Sequence, residues 1–218
     1  MDAFSRNDRM IASARTRAAV GGLIAAGLLG VAGCTTAPPE NVENICAIFE
    51  EKRGWYKSAK KSEERWGTPV HVQMSIIRQE STFQADARPP RGQLLGFIPW
   101  KRPSNAYGYA QALDSTWDWY REDTGRRFAG RDDFDDAIDF VGWYTHKSNQ
   151  SVGISKWDPY NQYLAYHEGQ GGWRKGSYKQ KRWLTDTARK VDYRARTWGA
   201  QLKGCEDDLD TGWWFFGG

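Results

Sequence analysis

The chain has 218 residues, 39% of them hydrophobic and 27% charged, a balance that fits one globular domain with a leader and excludes a disordered or fibrous protein. Its net charge of +4 falls to +2 once residues 1–33, with four Arg and two Asp, are set aside. No basic block interleaved with aromatics stands out, which argues against a nucleic-acid partner.

At the N-terminus, Arg15 and Arg17 precede an uncharged apolar run from Ala18 to Gly33, which at 16 residues is short for a membrane span. Residues 1–33 therefore read as a signal peptide. The run ends in Val31-Ala32-Gly33-Cys34, which resembles the bacterial lipobox, where a signal peptidase cuts before a Cys that receives a diacylglycerol thioether. The resemblance implies lipidation of Cys34, a membrane partner held through that lipid, and a place on the periplasmic face. No Asp follows Cys34, which by resemblance to enterobacterial lipoproteins favours the outer membrane. An uncleaved anchor helix with an incidental Cys is the alternative. Residues 34–40, with Pro38 and Pro39, form a short tether. With Cys34 lipidated, Cys46 and Cys205 remain as an even pair in an oxidising compartment. Their disulfide would close a loop of about 160 residues and stabilise the fold by about 3–5 kcal/mol in the chain-entropy model. Two buried free thiols are the alternative.

Helical spacing dominates the rest of the chain, with no internal repeat and no convincing strand hairpin between Asn41 and Cys205, so an all-α domain with little or no sheet is expected over residues 41–205. Val42, Ile45, Cys46 and Phe49 share the face of an opening helix. Thr68-Pro69 supplies an N-cap and first-turn proline for a helix reaching about Glu80. Pro89, Pro90, Pro99 and Pro103 make Arg88 to Asn105 a long loop. Asp114-Ser115 can cap a helix through Trp119, and Phe134, Ile138 and Val141 mark another. Asp158-Pro159 starts one ending near Gly169, and Leu184, Ala188, Val191, Ala195, Trp198 and Leu202 stripe the closing helix. The aromatic tail within residues 206–218, Trp213 to Phe216, is too short for a core and belongs either against the domain or at a membrane.

One acid stands out. Val70, Met74 and Ile77 define an apolar stripe, and Glu80 lies where that stripe continues, at the C-terminal end of the helix. Partial burial and the negative end of the helix dipole both raise a carboxyl pKa there, as a general acid needs. A solvated helix-end Glu is the bland alternative.

Three segments then fall in order: Glu80-Ser81, Gly108-Tyr109-Ala110-Gln111 and Ala165-Tyr166-His167-Glu168-Gly169. In this order they resemble the Glu-Ser, Gly-Leu-Met-Gln and Ala-Tyr-Asn-Ala-Gly motifs of the lysozyme-like soluble lytic transglycosylases, a likeness covering most of Ile45 to Cys205. The resemblance implies a lysozyme-like helical domain acting on peptidoglycan glycan strands, and the 12 Trp then suit stacking on sugar rings as well as core packing. It makes Glu80 the acid and base, with Ser81, Gln111, Tyr166 and His167 as substrate-binding residues. The implied reaction cleaves between N-acetylmuramic acid and N-acetylglucosamine and leaves a 1,6-anhydro end. No cofactor is expected, and His71, His146 and His167 are too scattered for a metal site.

Departures from the family pattern keep alternatives open. The stretch from Glu80 to Gly108 is long, and its insertion at residues 89–104 reads as either a cleft lid or a surface loop. His167-Glu168 replaces Asn-Ala, and Glu168 adds a second carboxylate of the kind a hydrolase uses. The rival readings are a muramidase using Asp86 or Glu168, and a peptidoglycan-binding lipoprotein that has lost catalysis.

Overall fold

The computed structural model describes residues 37–91, 93–94, 98–99 and 102–211. The expected leader and Cys34, the first residues of the expected tether, Phe97, Trp100 and Lys101 of the insertion, and the tail from residue 212 lie outside these.

Eight α-helices make the fold among the described residues: α1 Ile45–Glu51, α2 Arg53–Trp66, α3 Val70–Ser81, α4 Asp114–Thr124, α5 Phe134–Val152, α6 Pro159–Lys175, α7 Arg182–Leu202 and α8 Glu206–Asp210. None of them is long and apolar enough to cross a membrane. The domain is all-α, as expected, apart from one small hairpin within the proline-rich insertion. There β1, Gln93–Leu94, pairs antiparallel with β2, Ile98–Pro99. Strands of two residues leave no alternation to read, so this hairpin is invisible to periodicity.

Helix α3 is the centre. Residues 70 and 72–77 are all buried, the polar Gln73 and Ser75 among them, so its buried face covers nearly the whole circumference rather than the stripe the spacing suggested. It packs against α2, α5 and α7, while α6 bridges α5 and α7. Thr68 does not cap it: the Thr68 hydroxyl hydrogen-bonds Thr145 on α5 at 2.7 Å, and Pro69 occupies the N-cap position. The buried hydroxyl has found a partner across the interface, which leaves Glu63 to accept from the Val70 amide.

Helix α2 was not expected. Its surface is crowded with Lys, Arg and Glu, yet Trp55, Tyr56, Ala59 and Ser62 form a buried stripe against α5. The two helices meet closely at Gly142, where an added Cβ would stand 2.3 Å from Ser62 Oγ. Beside this contact, Asp139 is buried and accepts from Trp66 Nε1 at 2.9 Å and the Tyr120 hydroxyl at 2.7 Å, with Arg65 and Arg126 at 3.3 Å.

The ends are tied together. Cys46 and Cys205 form a disulfide with Cα atoms 6.2 Å apart, and Trp198 Nε1 donates to the Glu43 carbonyl at 3.1 Å. Asn44 caps α1, so Val42 packs on the core from just outside the helix. Beyond Cys205, α8 buries Leu209, and Asp210 accepts from the Tyr56 hydroxyl at 2.7 Å.

Candidate active site

The last turn of α3 carries Glu80 and Ser81, and the chain then reverses at once. Thr82 and Phe83 both adopt positive φ, 53° and 63°, the left-handed region that non-glycine residues avoid. Such a pair persists only where its surroundings hold it. The holding is visible: Phe83 is fully buried, with ring centroids 5.5 Å from Trp55 and 6.3 Å from Trp198. Arg78 also donates to Thr82 Oγ1 at 3.0 Å. The abrupt turn leaves the helix end open to a cavity.

That cavity measures about 700 Å³. Glu80, Ser81, Gln111, Tyr166 and His167, the five residues singled out from the sequence, all line it. Arg88, Pro89, Pro90 and Ser104 line it too, so the base of the insertion helps to form the cleft. Arg102 pins that base by donating to the Pro89 carbonyl.

The Gly108–Gln111 turn is fixed by its backbone. Gly108 has φ 79°, and a Cβ there would fall 2.0 Å from the Arg131 carbonyl oxygen, so only glycine fits. Tyr109 and Ala110 are buried, which anchors the turn. Gln111, at φ 46°, donates its side-chain amide to the carbonyls of Ala87 at 2.8 Å and Gly108 at 2.9 Å. It thus closes the loop as well as lining the cavity. Its amide hydrogens serve the fold, which the motif alone did not reveal.

Helix α6 supplies the third side. The Tyr166 hydroxyl donates to the Ala110 carbonyl at 2.6 Å, joining α6 to the Gly108–Gln111 turn. Tyr163, one turn earlier on the same face, donates to the Glu80 carboxylate. Sequence reasoning missed Tyr163, although its spacing of three residues from Tyr166 places the two hydroxyls together. Burial and the Glu80 charge push both phenols well above their usual range, so both remain donors.

Glu80 itself sits at the inner wall among these groups. Desolvation pushes its carboxyl up to about 7, against the opposing pull of the Tyr163 hydrogen bond. A carboxyl with that value holds its proton at mildly acidic pH and yields it near neutrality, which suits both halves of an acid–base cycle. Glu80 is the one carboxylate among the described lining residues.

Glu168 behaves in the opposite way. Burial raises its pKa, but hydrogen bonds from Lys181, Ser177 and His167 outweigh this and hold the carboxyl down at about 2. It is a fixed anion at working pH, and neither it nor Asp86 lines the cavity. Beyond it, α6 does not end at Gly169 as expected. That residue takes φ 72° and ψ 158°, a break across which helical hydrogen bonding resumes to Lys175. Among the described residues, no group of His, Cys, Asp and Glu is placed to hold a metal.

No curated protein and no solved structure matches the chain. The family model of the transglycosylase SLT domain matches residues 22–205. The helical fold, the cavity at the end of α3 and this match agree in one assignment: the chain belongs to the transglycosylase SLT domain family, whose lysozyme-like members act on peptidoglycan.

Proposed function

We propose that this protein is a lytic transglycosylase that uses Glu80 as its single acid and base. The reading is carried by one observation: a solitary cavity carboxyl, raised to about 7, at the end of a buried helix. In the reaction, protonated Glu80 gives its proton to the oxygen joining N-acetylmuramic acid to N-acetylglucosamine as the C1–O bond breaks. The new carboxylate then takes the proton of the muramic C6 hydroxyl while that oxygen attacks C1. Glu80 ends protonated, and the products are an N-acetylglucosamine hydroxyl end and a 1,6-anhydro end. Ser81, Gln111, Tyr166 and His167 bind the strand in this reading, and Tyr163 orients the Glu80 carboxyl. A hydrolase on the same fold would need another group to activate water, and the fixed, bonded state of Glu168 argues against its serving.

Glu80→Gln should keep the fold and lower cleavage at least about a hundredfold, as loss of a general acid does. Mass spectrometry of products from purified sacculi should show anhydro ends. Reducing ends would make the protein a muramidase, and binding without release of muropeptides would make it a non-catalytic wall-binding protein. The leader further supports an outer-membrane lipoprotein acylated at Cys34. Palmitate labelling that persists in Cys34→Ala would refute that placement.

A further inference from the structure

Three tryptophans among the described residues are exposed, Trp119, Trp157 and Trp183, and each leaves apolar surface in water that a core would have hidden. Trp119 packs against Trp143 and Trp157 against His71, neither of which lines the cavity. Trp183 is different. Its ring centroid lies 5.1 Å from that of His167, a cavity-lining residue, with the ring planes at 78°. The two rings form a corner of which His167 is the cavity-lining side, and Trp183 is still 57% exposed. It stands on the first turn of α7 beside the fully buried Leu184, so the apolar stripe of that helix points the other way.

The corner is held in place from behind. Glu168 accepts from Lys181 Nζ at 2.7 Å and from the Ser177 hydroxyl, and lies 3.1 Å from His167 Nδ1. Lys181 immediately precedes α7. One permanently ionised carboxylate thus ties the broken α6 to the start of α7, fixing His167 and Trp183 against each other.

We propose that Trp183, with His167 as its side wall, is a stacking platform for a pyranose ring of the glycan strand lying beyond the bond at Glu80. An indole face matches the apolar C–H face of a β-linked hexopyranose, and a perpendicular imidazole supplies a nitrogen for a ring hydroxyl or acetamido group. Glu168 is a positioning residue for this platform. The inference rests on Glu80 marking the point of cleavage, but it is tested by binding.

The test uses Glu80→Gln, to prevent turnover, and its double variant with Trp183→Ala, titrated with peptide-free glycan strands prepared from sacculi and followed by calorimetry. The double variant should bind roughly three- to tenfold more weakly, the contribution of one aromatic contact. Trp183→Phe should recover most of the loss, which a structural role of the indole would not predict. In the otherwise unaltered enzyme, Trp183→Ala should raise KM by a similar factor and leave kcat near its original value. Equal binding by the two Glu80→Gln proteins overturns the platform even where Glu80 proves to be the acid, and so does a parent with no saturable binding. Retained cleavage by Glu80→Gln refutes the acid alone, and the platform is then read from the KM of Trp183→Ala in the otherwise unaltered protein, where an unchanged KM overturns it.

Discussion

Replacing Glu80 with Gln removes an ionisation that the folded protein opposes, so the variant should be the more stable of the two at alkaline pH. The carboxyl titrates near the ordinary glutamate value of 4.5 when unfolded and at about 7 when folded. Because the folded pKa is the higher, the unfolded chain gives up this proton first. Stability is fully present below about pH 4.5, declines as the pH rises towards 7, and levels off once both states are ionised. The total cost is about 3 kcal/mol, from about 1.4 kcal/mol per pH unit between the two values. Gln is isosteric, keeps an acceptor for the Tyr163 hydroxyl and cannot ionise. For a domain of this size the gap corresponds to roughly 6–12 °C in Tm at pH 8, shrinking towards zero near pH 4.5. Paired melts of the two proteins at pH 4.5, 6 and 8 isolate the contribution, since every other titration cancels in the difference. Melting curves that stay parallel across this range would refute the idea that burial raises the Glu80 pKa.

Two further outcomes are expected from the same geometry. Tyr163→Phe deletes the hydrogen bond that pulls the Glu80 pKa down, so in the proposed reaction the alkaline limb of kcat/KM, assigned there to loss of the Glu80 proton, should move upward. A limb that stays put or moves downward would mean that Tyr163 does not contact the carboxyl. Asp139→Ala leaves Arg126 its pairs with Asp135 and Asp136 but strands Trp66 Nε1 and the Tyr120 hydroxyl inside the α2–α5 contact, and should cost about 2–4 kcal/mol in urea unfolding. A loss under about 1 kcal/mol, the size of an exposed ion pair, would show that this network is dispensable.

The parts of the fold that could be read in advance are those where one physical pattern prevails. Every residue of the expected stripe on α7, from Leu184 to Leu202, is buried, because a long helix on the surface of a core must be apolar on one side only. Helix α2 follows the same rule over Trp55, Ala59 and Ser62, but the many charges between them mask it, and Ser62 is buried for its hydrogen bond to Gln73 rather than for apolarity. Helix α6 outran its expected end because a glycine that usually stops a helix here only bends it. At the cavity, motif order brought out five lining residues, whereas Tyr163 belongs to none of the three motifs and emerges only when α3 and α6 are set side by side. The role of Glu168 was unreadable for a related reason. Its partners Ser177 and Lys181 lie across a helix break that no local pattern announces.

The reversal at Thr82 and Phe83 has a bearing on heat tolerance. No glycine relieves it, and its two left-handed residues together cost about 2–6 kcal/mol that the aromatic cluster around Phe83 must offset. The position of Glu80 therefore depends on the integrity of the Trp55 and Trp198 contacts at its back rather than on the loop in front of it. Warming that loosens this cluster lets the turn relax and the last coil of α3 fray, carrying the carboxyl out of register with Tyr163 while the disulfide still holds the chain ends together. The proposed cleavage should thus be lost at a lower temperature than the helix content, with a few rings beneath the site setting the gap between the two.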